Sequence, residues 1–145
     1  MQGLIQRVKH ASVVVDGEIV GEIEAGILLF LGVEKPDDKV RSDKLLHKVL
    51  NYRIFPDDDG HMNRSLLDVG GELLVVSQFT LAADTQKGLR PSFSSAASPD
   101  IAELIYENFV AEATIRIGKV ATGQFGADMA VSLLNDGPVT FLLSV

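Results

Sequence analysis

The sequence predicts an α/β fold: a sheet-rich single domain over residues 1–145, with two main helices packed on one side. Three observations carry this. Ile27–Val33 and Leu73–Val76 are apolar runs without alternation, the pattern of strands covered on both faces. Asp16-Gly17 stands between Ser12–Val15 and Glu18–Val20, and Asp-Gly supplies the positive φ angles that a tight hairpin turn requires. Two further segments combine helical spacing with helix-start residues, one opening at Pro36-Asp37-Asp38 and one at Ser98-Pro99-Asp100.

Taken in order, Leu4–Val8 alternates weakly and reads as a first strand. The hairpin follows, then the turn-rich Gly21–Gly26 and the buried strand Ile27–Val33. The first helix carries acidic residues at its positive end, and its stripe of Val40, Leu45, Leu46, Val49 and Leu50 predicts that it ends near Asn51. Ile54-Phe55 is expected to be short and extended. After the central strand comes a loop from Ala82 to near Ser98; a loop of that length in a compact domain is functional or mobile. Ile101, Leu104, Ile105 and Phe109 mark the buried face of the second helix. Thr114–Val120 is expected to be a strand and Thr122–Gly126 a turn. Met129–Leu134 and Val139–Val145 are expected to be strands joined at Asn135–Pro138. There is no internal repeat and no linker.

Composition bounds the function. A chain of 145 residues suffices for one well-buried domain and is short for two. Hydrophobic residues at 46% and charged residues at 23% fit a soluble globular protein. Without cysteine, disulfides and thiolate chemistry are excluded. The longest apolar run, Ile27–Leu31, is far too short to span a bilayer, and the first residues lack the basic and apolar blocks of a signal peptide, so no membrane partner and a cytoplasmic location are expected. A net charge of −7 argues against a protein that coats DNA or RNA through phosphates, but leaves room for one that touches an RNA end, with Lys87-Gly88-Leu89-Arg90 as the place to do so.

The central strand ends unusually. Leu73-Leu74-Val75-Val76 turns polar within one step at Ser77-Gln78-Phe79-Thr80, and buried polar groups need partners, so this cluster is either a hydrogen-bonded corner or a site. The chain has no phosphate-binding loop and no Gly-x-Ser-x-Gly elbow. Pro56–Gly60 lacks the spacing of a calcium loop, and His10, His47 and His61 have no zinc-ligand spacing, so neither metal nor cofactor is expected. Ser77 and Thr80 are candidate nucleophiles, yet no base is placed beside either by sequence. Such an enzyme relies on positioning and on backbone N–H groups aimed at developing charge, which suits an activated ester better than an amide.

These stretches together resemble the D-aminoacyl-tRNA deacylases. The resemblance runs through Gln6-Arg7-Val8, Ala11-Ser12-Val13, Asn51–Phe55 and Asp68–Glu72, then Ser77-Gln78-Phe79-Thr80-Leu81 and Lys87-Gly88 with Arg90-Pro91-Ser92-Phe93. It closes with Phe125-Gly126-Ala127 and Asn135-Asp136-Gly137-Pro138-Val139-Thr140, and so covers essentially the whole chain. Arg64 looks atypical and touches none of these motifs.

The resemblance implies mixed, barrel-like β-sheets and a homodimer with active sites at the subunit interface. Ser77, Gln78, Phe79 and Thr80 would line the pocket for the ester and the 3′-terminal adenosine of the tRNA, with N–H groups around Phe79 and Thr80 stabilising the oxyanion. Gly137-Pro138, by itself an ordinary turn, would have a cis peptide bond and enter the partner's pocket to screen the D-amino acid, with Arg7 holding it in place. The implied reaction is chiral proofreading, with glycyl-tRNA also accepted. Two other readings remain: a small-ester hydrolase with Thr80 or Ser77 as covalent nucleophile, and a non-catalytic dimeric RNA-end binder.

Overall fold

The computed structural model describes residues 1–145. Strand β1 (Gln2–Val15) is the organising edge-to-edge element: along one side it pairs antiparallel with β2 (Glu18–Ile23) and β3 (Gly26–Gly32), and along the other with β8 (Ala130–Ser144). Beyond β3 the sheet continues through β6 (Glu72–Ser77) and β7 (Val120–Thr122), both paired in parallel. The order is β2-β1-β3-β6-β7, and the sheet curls until its ends nearly meet. At that seam Gly21 lies against the Thr122 carbonyl, where any Cβ would collide. Strands β4 (Phe55–Pro56) and β5 (Met62–Arg64) form a separate small hairpin.

The two main helices, α1 (Lys39–Asn51) and α3 (Pro99–Ile117), pack on one face, and a one-turn helix α2 (Leu66–Val69) precedes β6. The non-alternating runs now have their physical cause. Leu73 and Val75 of β6, with Ile27 and Leu29 of β3, face the helices and join Leu45, Leu46, Val49, Phe109 and Ala113. Leu74, Val76 and Leu28 point the other way, into a second core inside the barrel with Val8, Val13 and Ile23. A strand between two cores has no solvent face for polar residues to occupy.

Several expected elements shift. The two N-terminal segments are one strand, β1, whose register to β8 slips between Gln6 and Val8 and again before His10. Asp16 and Gly17 take positive φ of 51° and 79°, as the hairpin requires, but β2 continues to Ile23 through what looked like turn. Asp38 caps α1 by accepting from the Arg41 N–H, while Asp37 is fully shielded and pairs with the Met1 ammonium at 2.8 Å. Helix α2 was not expected; Ser65 and Asp68 close it with reciprocal side-chain-to-backbone bonds.

Helix α3 carries the largest correction. It runs to Ile117, so Thr114–Ile117 is helix rather than strand, and only Val120–Thr122 is extended. The β-branched residues there favour strand only weakly, and tertiary packing of Ala113, which is fully buried, overrides that preference. The Thr114 hydroxyl turns back to the Val110 carbonyl at 2.8 Å, the helical alternative to a ladder bond. Ile101 and Leu104 are 53% and 59% exposed, and Val40 of α1 is exposed too; the buried stripe of α3 is Ile105, Tyr106, Phe109 and Ala113. Ser98 sits in the cap position without making the side-chain bond.

Tyr106 ties α3 to the central strand: its Oη donates to the Val75 carbonyl at 3.0 Å, an oxygen that also accepts the Gly123 N–H. Burial pushes the Tyr106 hydroxyl up to about 12, partly opposed by the Thr122 hydroxyl. The fold therefore favours the neutral phenol, and that stabilisation is complete below the ordinary tyrosine value near 10 and is lost as pH rises through about 12. Tyr106→Phe should lower stability at neutral pH by about 0.5–1.5 kcal/mol, the usual net worth of one hydrogen bond. It should also flatten the decline of the urea midpoint between about pH 10 and 12. An unchanged alkaline decline would place the titrating group elsewhere.

Candidate functional site

Because β3 and β6 are parallel and covered on both faces, their C-terminal ends are where the paired backbone first meets solvent. A crevice at the carboxyl ends of parallel strands is a favoured place for a ligand. Here it is a pocket of about 390 Å³, and its walls are mostly apolar. Leu31 and Val33 come from the end of β3, Val76 and Ser77 from β6, Tyr106 from α3, and Phe125 and Met129 from the approach to β8.

Ser77, Gln78 and Phe79 all line this pocket. Thr80 does not; it stands exposed just beyond, its hydroxyl accepting a hydrogen bond from the Gln78 Nε2 amide. An amide N–H is a donor and cannot take the hydroxyl's proton, so Thr80 has no base. No carboxylate, lysine, arginine or histidine lines the pocket, and its one titratable group, Tyr106, keeps its proton. The pocket wall of the single chain thus offers no ionisable side chain other than Tyr106.

What the strand end does present is backbone. Phe79 and Thr80 open the 3₁₀ turn Phe79–Ala82, and the first N–H groups of such a turn have no acceptor inside it. The turn is anchored on both sides: the Gln78 N–H donates to the Leu31 carbonyl at 2.8 Å and the Leu81 N–H returns to the Gln78 carbonyl at 3.2 Å.

The second candidate stretch lies elsewhere in the chain. None of residues 135–140 lines the pocket. Gln6 pairs with Thr140 and Val8 with Asn135, so residues 136–139 bulge out of β8 opposite Arg7. Gly137 and Pro138 are exposed at the tip, and their peptide bond is cis. The base of the bulge is held firmly. Arg7, 12% exposed, donates through Nε to the Asp136 carbonyl at 2.8 Å and through a terminal nitrogen to the Ile54 carbonyl at 2.6 Å. Asn135 spans the bulge, accepting the Val139 N–H at 2.7 Å and donating to the Val139 carbonyl and the Thr140 hydroxyl, each at 3.1 Å.

Sequence reasoning missed Tyr106 as a pocket wall and Asn135 as the clasp. An Asn two residues before Gly-Pro was a usable signal, since Asn bonds readily to nearby backbone; nothing local marked Tyr106. Asp57, Asp59 and His61 do come together on the β4–β5 hairpin, with ligand atoms within 4.8 Å of one another. The Asp57 carboxylate is already engaged by the N–H groups of Asp59 and His61. No helix is long and apolar enough to cross a membrane.

Comparison with known proteins places this architecture. The family model for D-Tyr-tRNA(Tyr) deacylase matches residues 4–144. A D-aminoacyl-tRNA deacylase of Pseudoalteromonas translucida (strain TAC 125) is 66% identical over 145 residues, covering 100% of both chains. One from Stutzerimonas stutzeri (strain A1501) is 64% identical over 143 residues, covering 99% of each. Among solved structures, one described as a c-Myc DNA Unwinding Element Binding Protein superposes with a TM-score of 0.96 at 38% identity, covering 100% of this chain and 99% of the other. A probable eukaryotic D-amino acid tRNA deacylase shares the fold at a TM-score of 0.81 and 17% identity, covering 99% of this chain and 98% of that one. Matched end to end in sequence, and carrying the same barrel-like sheet under two helices, the chain belongs to the D-Tyr-tRNA(Tyr) deacylase family.

Proposed function

We propose that this protein hydrolyses the ester of D-aminoacyl-tRNA, releasing free tRNA and the D-amino acid, and that it rejects L-aminoacyl-tRNA. The observation that carries this is the pocket at the end of β6: mostly apolar, bordered by the start of the Phe79–Ala82 turn and without a side-chain base among its lining residues. Such a site suits a substrate that needs orientation and oxyanion stabilisation more than proton abstraction. Water attacks the aminoacyl carbonyl, its oxygen bonding to the carbonyl carbon, while the N–H groups of Phe79 and Thr80 hold the developing oxyanion. The bond from that carbon to the ribose oxygen then breaks, and the water proton passes to the departing oxygen with help from the neighbouring ribose hydroxyl. Ser77 and Gln78 orient the ester. Neither metal nor cofactor takes part.

Chiral selection falls to Gly137-Pro138, acting in the pocket of a second copy of the chain, with Arg7 as the positioning residue. Three features support this. The tip is exposed, rigidly backed, and absent from the pocket of its own chain. Beside it the sheet presents an apolar row, in which Leu4 pairs with both Phe30 and Leu142, and Leu142 is 59% exposed. Leu142 is the exposed member of that row, and a second copy seated beside the tip would cover it. Excluding an L-side chain calls for a clash, and a fixed backbone wall supplies one. Glycine has no side chain to clash, so glycyl-tRNA is accepted. We take residues 1–145 to work as one such domain, in the cytoplasm, as a homodimer. A DNA unwinding element, named in the description of one structural relative, finds little cationic charge to meet on a chain of net charge −7.

The primary test compares purified protein on matched D- and L-aminoacyl-tRNAs: D-esters should be cleaved and L-esters spared, and equal rates would remove the chiral assignment. Thr80→Ala should retain at least about a tenth of the wild-type rate, because its backbone N–H survives. Loss of all activity in a folded protein, rescued by serine, would instead point to a hydroxyl nucleophile, which trapping of an acyl-enzyme would then establish. Arg7→Lys replaces the two separate nitrogens that reach the Asp136 and Ile54 carbonyls by a single one without the planar fork, and a hydrogen bond from a charged donor is worth about 1.5–3 kcal/mol. The D/L rate ratio should therefore fall about tenfold or more, with D-ester cleavage itself less affected. An unchanged ratio in an intact dimer would take Arg7 out of selection.

A further inference from the structure

At the mouth of the pocket two aromatic rings are left in solvent. Phe79 is 61% exposed and Phe93 is 40% exposed, and their ring centroids lie 5.0 Å apart with the planes tilted by 51°. Phe79 also lines the pocket, so the pair forms part of its rim. Phe93 follows a loop that is pinched shut at its neck: Asp84 and Ser92 exchange backbone hydrogen bonds of 2.8 and 3.1 Å. The returning leg is tied down as well, by the Ser95 hydroxyl on the Ala82 carbonyl and the Ala97 N–H on the Val33 carbonyl.

Residues 85–91 between those necks carry Lys87 and Arg90 and no acid, in a chain of net charge −7. Both cations are exposed, and neither forms an ion pair or a hydrogen bond. Leu89 between them is fully exposed. Nothing in the fold uses these groups: the core is complete without them and the loop is closed by backbone.

We propose that Phe79, Phe93, Lys87 and Arg90 form a second nucleotide subsite, taking the nucleotide that precedes the one bearing the ester. Its base stacks on the Phe93–Phe79 rim while Lys87 and Arg90 meet the adjoining phosphates. This rests on the deacylase reading of the neighbouring pocket. Aromatic faces beside unpaired cations are the pairing that single-stranded nucleic acid requires, since every base has a face to stack and every linkage a charge. It also offers an acidic chain a local hold on tRNA, through two cations in one loop that carries no acid.

The test uses the full-length protein with three D-tyrosyl esters: of adenosine, of the dinucleotide cytidylyl-adenosine, and of whole tRNA. Wild type should show a kcat/KM about tenfold higher for the dinucleotide than for the nucleoside. Phe93→Leu, which keeps apolar bulk and loses the aromatic face, should lose most of that gain. Lys87→Gln with Arg90→Gln should weaken the tRNA substrate and reduce the slope of log KM against log salt by about 0.7 per charge removed. Equal wild-type rates on nucleoside and dinucleotide overturn the subsite and leave the deacylase reading standing. A Phe93→Leu defect equal on both esters overturns it too, assigning the ring to the pocket, as does a defect that tracks loss of dimer, which would make the loop a protein contact. Hydrolysis of none of the three by wild type overturns the deacylase reading and the subsite with it.

Discussion

The burial of β3 and β6 on both faces is the constraint on which the rest of the molecule depends. Leu73 and Val75 must meet the helices while Leu74 and Val76 fill the barrel. A one-residue slip in register would exchange the two sets and misfit both cores at once. At about 1.5–3 kcal/mol for each fully buried aliphatic side chain, the correct register is strongly specified. With both faces covered and both edges paired, the strands can offer polar groups only at their ends. The polar turn Ser77–Thr80 therefore belongs at the place where the chain leaves the double-sided core.

The same constraint shapes the chemistry. A pocket at a strand end between two hydrophobic cores inherits apolar walls, and Tyr106 is held there as a neutral phenol whose hydroxyl is already given to Val75. Donors aimed from a fixed backbone need no reorganisation when charge develops, and a low-dielectric wall makes them count for more than they would in water. On the proposed mechanism, the site trades side-chain reactivity for preorganisation. The bulge at residues 136–139 follows the same logic at the other edge of the sheet. Arg7 and Asn135 fix it from behind, so that its exposed tip is positioned by the sheet rather than by its own loop entropy.

Much of this was legible in the sequence because it depends on neighbours in the chain. Non-alternating apolar runs, the Asp-Gly turn, the Asp38 start of the first helix and the polar termination of the central strand are local patterns, and each occupies the place its pattern implies. Family motifs such as Ser77–Leu81 and Asn135–Thr140 were readable for the same reason. Tertiary structure alone decided matters in which one residue's state depends on a distant partner. Whether Thr114–Ile117 became strand or helix was settled by the packing of Ala113. Ile101 and Leu104 fit an apolar stripe by spacing but point to solvent, because the sheet meets α3 along Ile105, Tyr106, Phe109 and Ala113 instead. Arg7 reaches Asp136 across 129 positions, and Tyr106 reaches Val75 across 31. Periodicity records that a helix or strand has an apolar face, but the direction in which that face is buried is fixed by what packs against it, and that partner is chosen only when the chain closes on itself.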